Sequence, residues 1–197
     1  MKNKRLVISI LATLTVLTAA IIAYSQAQQP SKQTTSGQPV ITDAIKFASE
    51  YKSVAEDNRF TYISGAQATE LLQNGSGILF LGFEECPWCQ GLAPLADEAA
   101  KAEDLSKINY LDIRAAREAN DSDYQKLVEI LKEYLSKDDE GQPRIYVPDV
   151  TAVKDGKIVA RFKQESAPEG TKADSFWTPE RKERAISQLR DMIKMTR

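Results

Sequence analysis

The 197-residue chain predicts an α/β domain with a mixed central sheet and helices on both of its faces. Three observations predict it. Ile78-Leu79-Phe80-Leu81-Gly82-Phe83 is a continuous apolar run, the signature of a strand buried on both sides. Segments of helical periodicity alternate with strand-like runs along the chain. Asp155-Gly156 joins two strand-like segments and is a strong two-residue hairpin signal, which adds antiparallel strands to the alternation.

The elements follow in order from the N-terminus. Lys2, Lys4 and Arg5 precede 19 uncharged residues, 6–24 (LVISILATLTVLTAAIIAY), close to the ~20 that cross a hydrocarbon core. Residues 1–25 are therefore a signal anchor or a signal peptide. The apolar run exceeds the roughly 7–15 residues of a cleaved signal, while Ser25-Gln26-Ala27 offers a small-x-small cleavage site. The expectation is a single-pass protein of the cell membrane, N-terminus cytoplasmic and domain outside, or alternatively one secreted after cleavage near Ala27. Residues 26–40 are a polar, low-complexity linker, and 41–197 form the exported domain.

Within that domain Ile41, Ile45, Ala48, Tyr51 and Ala55 recur at helical spacing and predict an extra N-terminal helix ending near Asn58. Residues 60–63 read as a short strand. Ser64 caps a helix over 66–73 with Ala68, Leu71 and Leu72 on one face, and Asn74-Gly75-Ser76-Gly77 ends it. After the apolar strand, Cys86-Pro87-Trp88-Cys89 opens a helix to about Ala102. Pro87 suits its first turn, where the missing N–H has no intrahelical partner. Residues 108–113 (INYLDI) are the next strand. A helix follows over 121–136, with Tyr124, Leu127, Val128, Leu131, Tyr134 and Leu135 as its stripe. Residues 144–154 and 157–162 are the hairpin strands, and 163–177 a polar loop. Thr178-Pro179-Glu180 supplies a cap, an N1 proline and an acidic first turn for the last helix, which buries Ala185, Leu189, Met192 and Ile193. Phe176-Trp177 reads as its hydrophobic staple.

Composition excludes much chemistry. There are 26 Lys+Arg against 28 Asp+Glu, two Cys and no His. Without His no Ser-His-Asp triad, Cys-His protease pair or His-ligated zinc can be built. Two Cys exclude a disulfide-stapled scaffold and a four-Cys metal site within the chain. A net charge of −2 gives no electrostatic case for nucleic acid. The expectation is no metal and no cofactor beyond the chain's own disulfide.

The thiol pair carries the remaining signal. Strand, Cys-x-x-Cys and helix in that order place Cys86 at a helix N-terminus, where orphan N–H groups and the macrodipole favour a thiolate. Cys89, one turn on, is placed to attack a mixed disulfide on Cys86. A zinc half-site would need carboxylates or a second chain, and a purely structural disulfide would close a tiny loop. Glu84 and Glu85 stand just before Cys86. Their charges are expected to cancel most of the helix term and hold its pKa at about 7–8.

With these residues the chain resembles the thioredoxin superfamily. Pro94, eight residues after Cys86, matches the kink proline of the active-site helix. Val147-Pro148 sits where the family places its cis-proline, and the run from Pro148 to Gly156 matches the family's proline-to-hairpin spacing without a gap. The resemblance covers roughly residues 60–197. It implies a thioredoxin-like fold with an extra N-terminal helix and a helical insertion before the cis-proline. It also implies that Pro148 is cis beside the sulfurs, and that Val147 offers its backbone to a substrate strand. The anchor, the Cys-Pro-Trp-Cys site and the insertion are similar to the membrane-anchored bacteriocin-transport accessory proteins of Gram-positive bacteria. Two departures stand out. Phe80 occupies the position of the buried acidic residue of thioredoxins, so the Cys89 proton is expected to leave to water, Glu84 or Glu85. The glutaredoxin Gly-Gly pair is missing, so nothing points to glutathione.

The function expected is extracytoplasmic thiol-disulfide exchange. Cys86 and Cys89 are catalytic, Pro87 and Trp88 complete the motif, and Val147 and Pro148 shape the substrate groove. The partners expected are exported proteins or peptides with thiols or disulfides, a redox partner that recycles the site, and the membrane through the N-terminal segment. The direction of electron flow stays open. The alternative is a binding or holdase subunit of an export system, without redox turnover.

Overall fold

A computed structural model describes residues 41–197; the expected signal anchor or signal peptide at 1–25 and the expected linker at 26–40 lie outside the described residues. In strand β2 (Gly77–Gly82) successive side chains point to opposite faces, so Ile78 and Phe80 enter one core and Leu79 and Leu81 the other. Both faces are therefore covered. Helix α1 (Asp43–Glu50) supplies Phe47, and α3 (Pro87–Ala102) and α7 (Pro179–Lys194) complete the first layer with Leu92, Ala96, Leu189 and Met192. Helices α2 (Gly65–Asn74) and α5 (Ser122–Leu131) cover the other with Ala68, Leu72, Leu127 and Leu131.

The sheet has five strands in the order β1-β3-β2-β6-β7, with β1 (Phe60–Tyr62), β3 (Ile108–Asp112), β6 (Asp149–Lys154) and β7 (Lys157–Arg161). β3 runs parallel to β1 and β2, while β6 is antiparallel to both β2 and β7. This is the mixed sheet with helices on both faces that the sequence predicts. The register positions the site. Leu81 lies opposite Asp149, so the chain leaving β2 toward Cys86 runs beside the chain entering β6 through Val147 and Pro148. The Val147–Pro148 peptide is cis, as the resemblance implied.

The caps behave as read. Ser64 and Gln67 form a reciprocal capping box on α2, and Thr178 caps α7. Asp155 and Gly156 both have positive φ, at 49° and 70°, as a tight hairpin turn requires. A side chain at Gly156 would also meet the Gln73 carbonyl oxygen at 1.9 Å.

Five expectations are corrected. The N-terminal helix stops at Glu50, and its buried face is Phe47 with Tyr51 and Val54 beyond it, while Ile41 is 71% exposed. The Asn58 side chain bonds the carbonyls of Ala44 and Ala55, folding 51–58 back as turns in competition with helix. Residues 121–136 do not stay helical. α5 ends at Leu131, a 3₁₀ turn spans Lys132–Tyr134, and β4 (Ser136–Lys137) pairs with β5 (Pro143–Arg144) in a separate ribbon. The segment 144–154 is not one strand, because the cis Val147–Pro148 bond separates β5 from β6. Two short helices, α4 (Arg114–Ala119) and α6 (Ala173–Phe176), stand where the sequence predicts none. α4 has no buried residue and so no apolar stripe to announce it. Finally, Phe176-Trp177 is no staple for α7: the partner position is Lys182, and the two rings pack against the helix that begins at Cys86.

Among the described residues, no helix is long and apolar enough to cross a membrane.

Candidate active site

Cys86 is the N-cap of α3 and faces helix amides that have no intrahelical acceptor. The amide N–H of Cys89 donates to the Cys86 sulfur at 3.1 Å, and the Cys86 thiol lies 3.8 Å from the Val147 carbonyl oxygen, to which it can donate. Both cysteines are free thiols and both are buried, Cys86 at 5% exposure and Cys89 at 0%. A hydrogen bond from the Cys89 thiol, aided by the backbone N–H groups of Cys89 and Trp88 and by the Arg117 charge, lowers the Cys86 pKa to about 7 against the opposing effect of burial. Burial, reinforced by Cys86, pushes Cys89 far above the usual thiol range. The two sulfurs are thus strongly unequal, one poised to ionise near neutral pH and the other held protonated.

The dipeptide between them is supported from the C-terminal side. Trp88 is half-buried and meets Phe176 edge-on at 5.1 Å, and Phe176 meets Trp177 at 5.0 Å. Gly91 lets Trp177 lie directly on α3; a Cβ there would be 2.1 Å from the indole nitrogen. Pro87, exposed, and Trp88 line an open groove with Gly91, Pro94, Ala173 and Trp177. Gln90 reaches from α3 to the Glu84 and Glu50 carbonyls at 2.7 and 2.9 Å, tying the loop before Cys86 to the end of α1.

The structure brings together Cys86, Cys89, Pro87, Trp88, Val147 and Pro148. Glu84 and Glu85, expected to modulate the Cys86 thiol, precede it in the loop after β2. Both are exposed, and Glu85 is ion-paired with Arg114 of α4. Arg117, on the same short helix, contributes to lowering the Cys86 pKa, and its guanidinium lies 5.1 Å from the Phe83 ring. Tyr51, expected on a helix face, and Tyr110, expected within a strand, are two further residues of the site. Tyr51 and Tyr110 are fully buried with their hydroxyls 3.1 Å apart, and burial raises both well above the ordinary tyrosine range. A Cβ placed on Gly82 would be 3.3 Å from both the Cys89 sulfur and the Tyr51 oxygen. The signals for these residues existed: Arg117 follows β3, whose end adjoins the end of β2, and Tyr51 and Tyr110 are polar-tipped residues at core positions.

Among the described residues no group of three or more Cys, Asp or Glu converges to hold a metal ion. No family model matches the chain, and no curated protein matches it in sequence.

Proposed function

We propose that the chain is a thiol-disulfide oxidoreductase of thioredoxin-like fold, acting outside the cytoplasm on thiol- or disulfide-bearing exported proteins and peptides. The observation that carries the reading is the placement of the two thiols on one helix start: Cys86 at the N-cap accepts the Cys89 amide N–H and faces the Val147 carbonyl, and Cys89 is fully buried one turn behind. The sheet order, the helix that opens at Cys86 and the position of Val147-Pro148 beside the sulfur support the fold assignment. The location outside the cytoplasm rests on the uncharged run at 6–24. The resemblance of the Cys-Pro-Trp-Cys site and the helical insertion to bacteriocin-transport accessory proteins favours disulfide-containing exported peptides among the substrates.

In the reducing direction the Cys86 thiolate attacks a substrate disulfide, forming a mixed disulfide and releasing one substrate thiolate. Cys89 then attacks the Cys86 sulfur. The Cys86–substrate bond breaks, the Cys86–Cys89 bond forms, the substrate leaves with two electrons, and the Cys89 proton ends on the departing sulfur or in water. The oxidising direction is the reverse. A substrate strand pairing with the Val147 backbone would present its sulfur to Cys86.

Mixed-disulfide trapping tests the reading. Cys89→Ser accumulates substrate adducts on Cys86, because nothing resolves them, and Cys86→Ser accumulates almost none. Equal trapping by both variants contradicts it. Retained function when both Cys are Ser would instead identify a binding or holdase subunit.

A further inference from the structure

Behind the dithiol sits a pair of buried hydroxyls that the exchange mechanism has not used. Tyr51, just past the end of α1, and Tyr110, on β3, are both at 0% exposure and bond each other at 3.1 Å. Two hydroxyls carry two O–H protons, and their mutual bond uses one. Among the described residues the other proton has no further acceptor. A buried O–H without an acceptor is unfavourable unless something nearby takes its hydrogen bond in a working state. The Cys89 sulfur and the Tyr51 oxygen both approach Gly82. A Cβ on Gly82 would sit 3.3 Å from the Tyr51 oxygen, 3.3 Å from that sulfur and 2.9 Å from the Phe80 ring, so only a glycine lets the hydroxyl, the sulfur and the ring close around this point.

We infer that Tyr51, held in place by Tyr110, is a positioning residue for the resolving thiol, its hydroxyl stabilising negative charge on Cys89 across Gly82. The inference rests on the exchange reading of Cys86 and Cys89. Cys89 must lose its proton to attack the mixed disulfide, and at 0% exposure water cannot solvate the sulfur as charge develops. An O–H dipole in a low-dielectric pocket supplies that solvation with no reorganisation. Both tyrosines stay neutral throughout, so neither is the base. The proton passes to the departing substrate sulfur or to water, and the electrons move as in the exchange step above. The charged and titratable groups facing this cluster are Cys86, Cys89 and Arg117, with Tyr62, Glu50 and Asp112 beside Tyr110. The N-terminal helix thereby gains a chemical role besides covering the sheet.

The test uses 5,5′-dithiobis(2-nitrobenzoate) on the reduced, folded protein. Attack by Cys86 releases the first thionitrobenzoate, and resolution by Cys89 releases the second. Followed across pH, the second phase reports the Cys89 ionisation. Tyr51→Phe, which removes only the hydroxyl, is expected to raise the midpoint of the second phase by about one pH unit and slow it about tenfold at pH 7, leaving the first phase within about twofold. Tyr110→Phe is expected to shift it in the same direction by less. An unchanged midpoint in Tyr51→Phe, with the first phase intact, overturns the inference, because a packing role would alter stability without moving that profile. A shift in Tyr110→Phe alone would also overturn it. Failure of the exchange reading looks different: in wild type the first phase would be no faster than for an ordinary thiol, or the second would not occur.

Discussion

The amide N–H of Cys89 points at the sulfur of Cys86 from 3.1 Å, so the turn that carries the second thiol also activates the first. The relationship follows from sequence spacing. A residue at the N-cap accepts from the amide three positions on, and in a Cys-x-x-Cys motif that amide belongs to the second Cys. Sulfur here takes the place usually held by a Ser, Thr or Asp oxygen.

The ionisation of Cys86 is the first consequence. Ultraviolet thiolate absorbance of the reduced protein should titrate with a midpoint of about 7. Cys89→Ala, which removes the largest stabilising contact, should raise the midpoint by about one unit, and Arg117→Gln by a smaller amount. Glu84→Gln with Glu85→Gln should have less effect than Arg117→Gln, since Arg114 already offsets Glu85. A larger shift from the glutamate pair would return the local field to those carboxylates.

The pH dependence of stability follows by linkage. Cys86 has its pKa lowered from 9.0 to about 7 on folding, so its contribution is present above pH 9 and is lost as pH falls through 7. Cys89 is raised on folding, so its contribution is intact below pH 9 and declines as pH rises beyond it. Urea unfolding of the reduced protein should therefore show wild type gaining about 1–2 kcal/mol relative to Cys86→Ala between pH 6 and pH 9. A flat difference would show that the thiolate is not stabilised in the folded state.

Gly91→Ala tests the support of the dipeptide. The new methyl would meet the Trp177 indole nitrogen at 2.1 Å, which forces Trp177 and the α6 turn away from α3. Overpacking of this kind costs about 1–3 kcal/mol. Because Phe176 touches both Trp177 and Trp88, the tryptophan emission of the reduced protein should shift as well. Wild-type stability in this variant would contradict the packing described.

Arg161→Met tests the wall beside Pro148. Asp149 is 6% exposed and ion-paired with Arg161, with the Thr151 hydroxyl donating to it at 3.0 Å. Removing the cation leaves a buried carboxylate without its charge partner, a loss of about 3–5 kcal/mol. Restoration by Asp149→Asn in the same chain would show that the stranded charge was the cause.

What the sequence made legible divides along physical lines. Long periodic elements with caps, such as the Ser64 and Thr178 helices, and the Asp155-Gly156 turn were readable because local chemistry decides them. The thiol pair and Val147-Pro148 were readable because spacing along the chain becomes proximity through one register, Leu81 opposite Asp149. The rest depends on tertiary competition. Asn58 and the β4–β5 ribbon truncate helices that periodicity would extend. α4 buries nothing, so neither the helix nor its Arg117 was visible in a hydrophobic pattern. Tyr51 and Tyr110 are 59 residues apart, and their meeting behind Cys89 is a property of the packed aromatic layer around Phe47.

The most direct test of the account is the redox equilibrium of the Cys86–Cys89 pair in glutathione buffers, with oxidation state read by thiol alkylation. The account predicts one reversible two-electron transition with a potential between roughly −270 and −120 mV, the range spanned by exchange-active Cys-x-x-Cys pairs. A pair that does not equilibrate with glutathione, or one with a potential below about −300 mV as in structural disulfides, would contradict it.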